Sequence, residues 1–237
     1  RVKRSEIEGF IHTARESAAL LHANLRRAAD LVRSFKQVAV DQSSEMRRHF
    51  ALKPYVNEVL LSLHPKLKRT QHTVSVHCAD DIALDSYPGA FSQIITNLVM
   101  NSLIHGFENL EQGHIVIEAT LQGSELLLRY SDDGKGMDAG HIRAKALAKN
   151  LITPEQASVM DDWDAMQLIF QPGFSTRDQA NEISGRGVGL DAVKDLVSQM
   201  GGVIELQTEV GEGSRFSIKL PLTLAIIPAM IVSSGNQ

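Results

Sequence analysis

The chain has 237 residues, enough for one large domain or for a helical segment followed by one domain. Its 43% hydrophobic and 22% charged residues are ordinary for a globular protein, and a net charge of −4 argues against a nucleic-acid partner. The single cysteine, Cys78, excludes an internal disulfide framework and suits a reducing compartment. No apolar run reaches the roughly 20 residues that span a bilayer. We therefore expect a cytoplasmic protein, or the cytoplasmic part of a membrane-anchored one. Because the chain opens at Arg1 without a methionine, we also expect a piece of a longer protein.

The first predicted element is one long helix over residues 5–39. Ser5 and Glu8 fit a capping box at its start. A narrow apolar stripe with heptad spacing follows, and a helix of this kind needs a partner helix in a bundle or a dimer. A long surface helix lying on its own domain is the alternative. The stripe consists of Ile7, Ile11, Ala14, Ala18, Leu21, Leu25, Ala28, Val32 and Phe35.

The next stretch is predicted to change character several times. Residues 41–50 are polar and indicate a linker, and Pro54 can begin a second helix that continues over 55–67. Residues 74–78 alternate between apolar and polar types, which predicts a strand. Residues 85–89 have the composition of a turn.

Residues 93–105 (QIITNLVMNSLIH) predict a helix with an unusual polar stripe. Asn97, Asn101 and His105 are four residues apart and so share one face, whereas Ile94 and Leu98 form an apolar face. A buried amide without a partner costs about 1–3 kcal/mol, so this stripe needs partners. Two interpretations remain open: a structural seam of hydrogen bonds, or a face that binds a polar ligand and a hard cation.

The rear half predicts a sheet covered by helices. Strands are expected at 115–121 and 125–131, joined by a tight turn, with helices at 141–149, from about 154, and at 163–170. A further helix is predicted at 188–200, and a closing hairpin at 203–207 and 215–220. This order predicts an α+β two-layer sandwich, with a mixed sheet and helices on one face.

Three glycine-containing motifs carry the candidate chemistry. Asp132-x-Gly134-x-Gly136 follows a strand, where an acceptor-only carboxylate can take a hydrogen bond from an exocyclic amine; a polar turn is the alternative. The run 185–190 (GRGVGL) begins a helix and can bind an anion, although it fits neither the dinucleotide fingerprint nor the P-loop; a lid hinge is the alternative. The third motif, Gly211-x-Gly213-Ser214, is by itself a hairpin turn.

Taken together and in this order, the motifs resemble the Asn, glycine and Phe boxes of the ATP-binding domain of histidine kinases (the GHKL superfamily). Phe170 and Phe174 match the Phe box, and the resemblance covers about residues 54–222. The rear half resembles the chemotaxis kinase branch, CheA, and the front helix (SFKQVAVDQ, 34–42) is similar to the second dimerisation helix of membrane sensor kinases. The CheA-like stretches are DDGKGM (132–137), LIFQPGFST (168–176), SGRGVGLDAVK (184–194) and LPLTLAII (220–227).

The resemblance implies a Bergerat-type sandwich preceded by a dimerisation helix. The implied domains are a dimerisation helix with its linker at 1–50, an ATP-binding catalytic domain at 51–222, and the start of a following segment at 223–237. The implied cofactors are ATP and Mg²⁺. The implied partners are a second copy bound through the N-terminal helix, a phosphoacceptor histidine domain upstream or in trans, and a response regulator.

Individual site residues follow from the same resemblance. Asn101 matches the ligand of the Mg²⁺ ion that bridges the phosphates, and Asp132 matches the residue that reads the adenine amine. Asn97 and His105 match the polar positions one turn before and after Asn101, which makes these three the candidate catalytic residues. The remaining implied nucleotide-binding residues are Gly134, Gly136, Met137, Phe174, Ser175, Thr176, Gly185, Arg186, Gly187, Val188, Gly189, Leu190 and Ser214.

Two departures from the family pattern qualify the implied activity. Where chemotaxis kinases carry His and the hydrolysing relatives carry Glu, this chain has Asn97, which cannot act as a general base. In addition, no histidine here is followed by Glu or Asp, the signature of a phosphoacceptor. We therefore predict a kinase core that phosphorylates a histidine outside these residues. The alternatives are a non-catalytic ATP-binding module and a hydrolysing ATPase.

Overall fold

A computed structural model of the chain describes residues 4–43, 46–174 and 189–222. A π-helical turn (Ser102–Gly106) follows the third helix, and a 3₁₀ turn (Leu168–Phe170) follows the sixth. In chain order the described elements are α1 (Arg4–Ser43), β1 (Arg48–Ala51), α2 (Leu52–Leu67), β2 (Thr73–Cys78), β3 (Ala83–Ser86), α3 (Pro88–Asn101), β4 (His114–Gln122), β5 (Glu125–Asp132), α4 (Ala139–Ala148), α5 (Pro154–Val159), α6 (Asp162–Gln167), α7 (Leu190–Gln199), β6 (Val203–Glu209) and β7 (Gly213–Pro221).

The centre of the fold is a five-stranded mixed sheet in the order β2-β4-β5-β7-β6. β2 pairs with β4 in parallel, and the other neighbours pair antiparallel. Apolar residues alternate along the central strands, so one face of the sheet is buried, as with Ile117 on β4, Leu128 on β5 and Ile218 on β7. α3 and α7 pack against each other, and both contribute buried residues to the same core. The predicted α+β two-layer sandwich is confirmed.

A second, two-stranded sheet was not predicted. Residues 41–50 were expected to be a linker and 85–89 a turn, but α1 continues to Ser43 and β1 then pairs antiparallel with β3. Both predictions were wrong because strands of four residues are too short to show a clear alternation. Phe50 on β1 explains the pairing, since its buried ring makes edge-to-face contacts with Tyr55 and Phe91.

The predicted N-terminal helix is present and extends a few residues further than expected. Its last turns pack on the domain, where Val38 and Asp41 are buried and Asp41 accepts a hydrogen bond from Arg48 at 2.9 Å. Further up the helix, Leu21 and Leu25 of the heptad stripe are 63% and 69% exposed. The helix therefore does not lie along its own domain at these positions, and its pairing with a second copy remains a prediction.

The helix that carries the polar stripe begins earlier and ends differently than predicted. Pro88 occupies its first turn, where a proline is tolerated because its missing N–H would have no partner. After Asn101 the backbone widens into the π-helical turn, and the N–H of Phe107 donates to the carbonyl of Ser102 at 2.8 Å. Such turns are rare and occur frequently at functional sites. The other helices and strands agree with their predicted positions to within a few residues.

No helix in the described ranges 4–43, 46–174 and 189–222 combines the length and apolarity needed to cross a bilayer.

Candidate functional site

A cavity of about 450 Å³ opens between the helical layer and one end of the sheet. The π-helical turn, the β5–α4 loop, α4, the 3₁₀ turn and the start of β7 all contribute to its lining. Its walls are largely apolar, and a few polar groups converge on it, which is the usual constitution of a small-molecule site. The apolar lining residues include Met137, Ile142, Ile169, Phe174, Leu190 and Phe216.

Asp132 lies at the end of β5, is only 9% exposed, and lines this cavity. One carboxylate oxygen, Oδ2, accepts a hydrogen bond from Ser102 Oγ at 2.7 Å. The other, Oδ1, accepts one from the backbone N–H of Gly134 at 3.0 Å. Burial raises the pKa of Asp132 above its ordinary value, and the Ser102 and Gly134 hydrogen bonds partly offset this. The carboxylate is thus oriented by the protein and held in a region from which water is largely excluded.

The glycines of the Asp132 motif are required by close backbone packing. A Cβ atom on Gly134 would lie 2.6 Å from the Gly106 carbonyl oxygen and 2.7 Å from Asp132 Oδ1. Gly136 has a φ of +67°, and a Cβ there would lie 2.0 Å from the Glu209 carbonyl oxygen. The loop is therefore built into the floor of the cavity, which a solvated polar turn would not be.

Ser214 and Gly213 place the third glycine motif at the same floor. Gly213 has a φ of +108°, and a Cβ there would lie 2.0 Å from the Asp132 carbonyl oxygen. Ser214 is directly opposite Asp132 in the pairing of β5 and β7, and both residues line the cavity. The hairpin interpretation of this motif is correct, and the hairpin also contributes to the site.

The polar stripe of α3 is divided between two environments. Asn97 is 2% exposed, and its Nδ2 donates to the carbonyl oxygen of Gly189, at the start of α7, over a long 3.5 Å. Asn101 and His105 line the cavity instead. The amide nitrogen of Asn101 is shielded from solvent and has no hydrogen-bond partner among the described residues. Asn97 thus has a structural hydrogen bond, whereas Asn101 and His105 line the cavity, and ligand binding by these two residues remains a prediction.

Several residues that line the cavity or support its floor were missed from the sequence. Ser102, Tyr130 and Thr208 support the floor through hydrogen bonds, and His141 and Lys145 line the wall from α4. The spacing of His141, Ile142 and Lys145, directly after the glycine loop, is a helical signal that could have indicated the α4 residues. The roles of Tyr130 and Thr208 depend on strand pairing and have no local signal.

Among these residues, Lys145 is the one whose surroundings favour a bound anion. Its ammonium nitrogen lies 5.0 Å from the centroid of the Phe174 ring, which also lines the cavity. Burial lowers the pKa of Lys145, and the nearby charge of Lys149 lowers it further. A bound anion would relieve both effects, because it would compensate the partly desolvated ammonium group.

Not all of the predicted site residues can be placed. Ser175, Thr176, Gly185, Arg186, Gly187 and Val188 lie outside the described residues. Gly189 and Leu190 are described, and Leu190 lines the cavity as the first residue of α7.

Comparison with known proteins agrees with this geometry. The model of the family described as histidine kinase-, DNA gyrase B- and HSP90-like ATPase matches residues 87–224, more than half of the chain. The chain belongs to this family. The resemblance inferred from the motifs is confirmed at this level.

Two curated relatives of this chain are named as a sensor histidine kinase and a chemotaxis protein. The chain is 40% identical over 152 residues to sensor histidine kinase CheAY of Helicobacter pylori, which covers 60% of this chain and 19% of that protein. It is also 40% identical over 152 residues to chemotaxis protein CheA of Bacillus subtilis, covering 60% and 23%, respectively. The chain therefore spans about a fifth of the length of these relatives.

A solved structure supports the fold assignment. The catalytic domain of histidine kinase ThkA, in a nucleotide-free form, superposes with a TM-score of 0.53 at 20% identity, over 75% of this chain and 96% of that chain. At this level of identity the likeness concerns the fold alone.

Proposed function

We propose that this chain is the catalytic core of a protein histidine kinase in a two-component system. It would bind ATP with Mg²⁺ and transfer the γ-phosphoryl group to the imidazole of a histidine outside these residues. A response regulator would then receive the phosphoryl group. We also propose a cytoplasmic location for this part of the protein, as expected for a chain with a single cysteine.

The observation that carries the proposal is the buried, oriented carboxylate of Asp132 at the floor of an apolar cavity. Apolar side chains such as Ile142 and Phe216 offer flat contact surfaces for a nucleobase. When ionised, the carboxylate can only accept hydrogen bonds, and an exocyclic amine such as that of adenine is a fitting donor. A cavity of about 450 Å³ is also adequate for such a base and part of its sugar.

The lining of the cavity also includes groups that phosphates require. Lys145 and His141, both on α4, and Lys135, whose ammonium group pairs with Glu108, line the cavity and can offset negative charge. In phosphoryl transfer the protein acts chiefly by positioning and by stabilising the charge that develops. These cations would orient the terminal phosphate towards the incoming histidine.

The fit to Mg²⁺ rests on Asn101. Its amide lines the cavity, and its nitrogen lacks a partner among the described residues, so the side chain is free to present either amide atom to a ligand. An amide oxygen is a hard ligand, and Mg²⁺ commonly takes one or two protein oxygens together with phosphate oxygens and water. Bound there, the ion would neutralise charge on the phosphates.

The proposed partners follow from the α1 helix and the histidines. The exposed leucines of the heptad stripe, Leu21 and Leu25, would pair with the same residues of a second copy. None of the histidines of the chain has an acidic residue after it, so we place the acceptor histidine on an upstream or separate domain.

The test is phosphorylation of the full-length gene product with γ-labelled ATP. We expect acid-labile, base-stable label on histidine, lost in Asn101→Asp with the fold intact by circular dichroism. Ser92→Ala serves as the control, since it removes a buried hydroxyl from the same helix, and Ser92 is not among the residues that line the cavity. Nucleotide affinity and labelling of Asn101→Asp equal to those of wild type would remove Asn101 from the site.

A second candidate is a non-catalytic ATP-binding module, favoured by one observation. Asn97 occupies the position of a potential general base, yet its amide cannot take a proton and instead reaches the Gly189 carbonyl. Nucleotide binding without any phosphohistidine, in the same labelling experiment, would favour this candidate over the kinase. Steady release of phosphate that Asn97→Ala abolishes would instead favour a hydrolysing ATPase.

A further inference from the structure

The floor of the cavity is backed by a chain of hydroxyl groups that ends at Asp132. The hydroxyl of Tyr130 donates to Ser102 Oγ at 2.7 Å, and Ser102 Oγ donates to Asp132 Oδ2, also at 2.7 Å. Tyr130 and Ser102 are 1% and 3% exposed, so water does not compete for these bonds. We call Tyr130, Ser102 and Asp132 the hydrogen-bond chain.

The directions of these hydrogen bonds follow from elementary chemistry. An ionised carboxylate can only accept, so the one proton of Ser102 must point to Asp132. Ser102 Oγ can then only accept from Tyr130, whose proton is thereby fixed as well. Burial raises the pKa of Tyr130 well above its ordinary value, which keeps that proton in place.

In a second pair of hydroxyl groups at the floor, those of Thr208 and Ser214, the directions of the hydrogen bonds are fixed in the same way. Thr208 Oγ1 donates to the carbonyl oxygen of Gly213 at 2.9 Å and accepts from the Met137 N–H at 3.0 Å. Its contact with Ser214 Oγ at 3.0 Å therefore requires Ser214 to be the donor. The protons of Ser102 and Ser214 thus both point into the protein, and neither is available to a ligand.

We propose that the hydrogen-bond chain holds Asp132 as an acceptor-only carboxylate, so that the cavity selects a purine with an amine at the position facing Asp132 and rejects one with a carbonyl there. Tyr130 and Ser102 are positioning residues in this proposal. The proposal rests on the proposed function, because it takes the cavity to be a nucleotide site. A carbonyl facing Asp132 would meet a second acceptor, and both would lack a donor.

The energetic reason for the selection is that the chain makes the neutral form of Asp132 unfavourable. A protonated carboxyl group could donate to a carbonyl and would blur the discrimination. The Ser102 hydrogen bond opposes protonation, whereas burial and the neighbouring Asp133 favour it. Without Ser102 or Tyr130, the balance moves towards the neutral acid.

The charged groups near Asp132 are the same in wild type and in the variants, so a comparison between the proteins cancels their contribution. The residues paired with Asp132 on the adjacent strands, Ile115 and Ser214, carry no group that titrates in the accessible range. The titratable groups facing the cavity from the π-helical turn, the β5–α4 loop and α4 are His105, Lys135, Asp138, His141 and Lys145.

The test compares adenosine diphosphate with inosine diphosphate, which differ at the position in question by an amine and a carbonyl. Calorimetric titration gives the ratio of their affinities for wild type, Tyr130→Phe and Ser102→Ala. The loss of one hydrogen bond to a charged group changes affinity by about tenfold. We therefore expect the ratio to fall by about tenfold in Ser102→Ala and by about threefold in Tyr130→Phe, more strongly at mildly acid than at mildly alkaline pH.

Tyr55→Phe is the matched control, because it removes the same hydroxyl from another buried tyrosine, on α2, which is not among the cavity-lining residues. Its ratio should equal that of wild type. Thermal melting of each variant identifies any loss of folding, and Tyr130→Phe, which keeps the ring, covers the case in which Ser102→Ala does not fold.

Each other outcome contradicts a specific statement. If both variants bind adenosine diphosphate with an unchanged ratio, the hydrogen-bond chain does not set the selection, and the proposed function stands. An equal fall in Tyr55→Phe would assign the effect to general destabilisation and overturn the chain's role. If wild type binds neither nucleotide, the proposed function and this proposal both fail.

Discussion

Replacing Asp132 by asparagine is the sharpest test of the nucleotide site, because it should separate binding from stability. The substitution keeps the shape of the side chain but leaves one acceptor oxygen where there were two. Ser102 and Gly134 donate hydrogen bonds to different oxygens of Asp132. In the asparagine variant the NH₂ group replaces one of these oxygens, so two hydrogen-bond donors would point at each other there. The amine of a bound adenine would lose its charged acceptor as well.

The magnitude follows from these contacts. A hydrogen bond to a charged group contributes about 1.5–3 kcal/mol, so the affinity for ATP should fall by about tenfold to about hundredfold. Stability should change much less. The pKa of Asp132 is raised in the folded protein by burial, so the ionised carboxylate opposes folding at neutral pH, and its removal offsets part of the lost hydrogen bond.

The sign of the pH dependence provides a second readout. A carboxyl group whose pKa is raised on folding binds more protons in the folded state between its unfolded and folded pKa values. The wild-type protein should therefore lose stability relative to Asp132→Asn as the pH rises through this window, starting at about pH 4. Above the folded pKa the difference should be constant.

The assay combines titration calorimetry with a non-hydrolysable ATP analogue and thermal melting over a range of pH. Glu118→Gln, on the neighbouring strand β4 and outside the cavity lining, is a control for the loss of a carboxylate. If Asp132→Asn binds the analogue within twofold of wild type, the assignment of Asp132 to the base is refuted. A wild-type protein that gains stability relative to Asp132→Asn as the pH rises through this window would refute the argument from burial.

Three further predictions concern the scaffold. Gly136→Ala should destabilise the fold by more than about 2 kcal/mol in chemical denaturation, because its Cβ would meet a carbonyl oxygen at 2.0 Å. Gly123→Ala, with a similar φ of +61° but nothing within 4 Å, should cost only about 1 kcal/mol, and equal losses in the two variants would contradict the clash argument. Asp41→Asn should lower stability by about 1–2 kcal/mol, since it weakens a pair whose partner, Arg48, is partly exposed; no change in the melting temperature would show that the pair does not anchor α1. Leu25→Glu should abolish self-association in analytical ultracentrifugation and leave nucleotide affinity unchanged; a dimer that persists would place the interface elsewhere.

Features that depend on neighbouring residues in the chain could be predicted from the sequence. The heptad spacing predicted α1, although the helix already includes Arg4, so the expected cap at Ser5 was wrong. The residue pattern also predicted β2, β4 and β5. The glycines of the Asp132 motif indicated close backbone approach, and the structure shows what they approach. In each case the determining interaction spans only a few residues, so it leaves a local pattern.

The polar stripe of Asn97, Asn101 and His105 shows what a local pattern cannot predict, namely the partners of its side chains. Asn97, Asn101 and His105 were predicted to share one face, but a face says nothing about what lies opposite. Only the packing of α7 assigns Asn97 to Gly189 and leaves the other two residues to the cavity. Likewise, Tyr130 was an ordinary residue of a predicted strand until strand pairing and the π-helical turn brought its hydroxyl to Ser102.

The sequence by itself therefore determined most of the elements, though not β1 and β3, together with the order of the motifs and the family, because these are encoded in residue types and short spacings. Tertiary structure alone decided which side chains converge at the floor of the cavity, which of their protons are available to a ligand, and how Lys145 comes to face Phe174. These depend on contacts between residues about 30 positions apart or more, such as Ser102 with Asp132 and Lys145 with Phe174. Chain folding creates such contacts, and no local spacing encodes them.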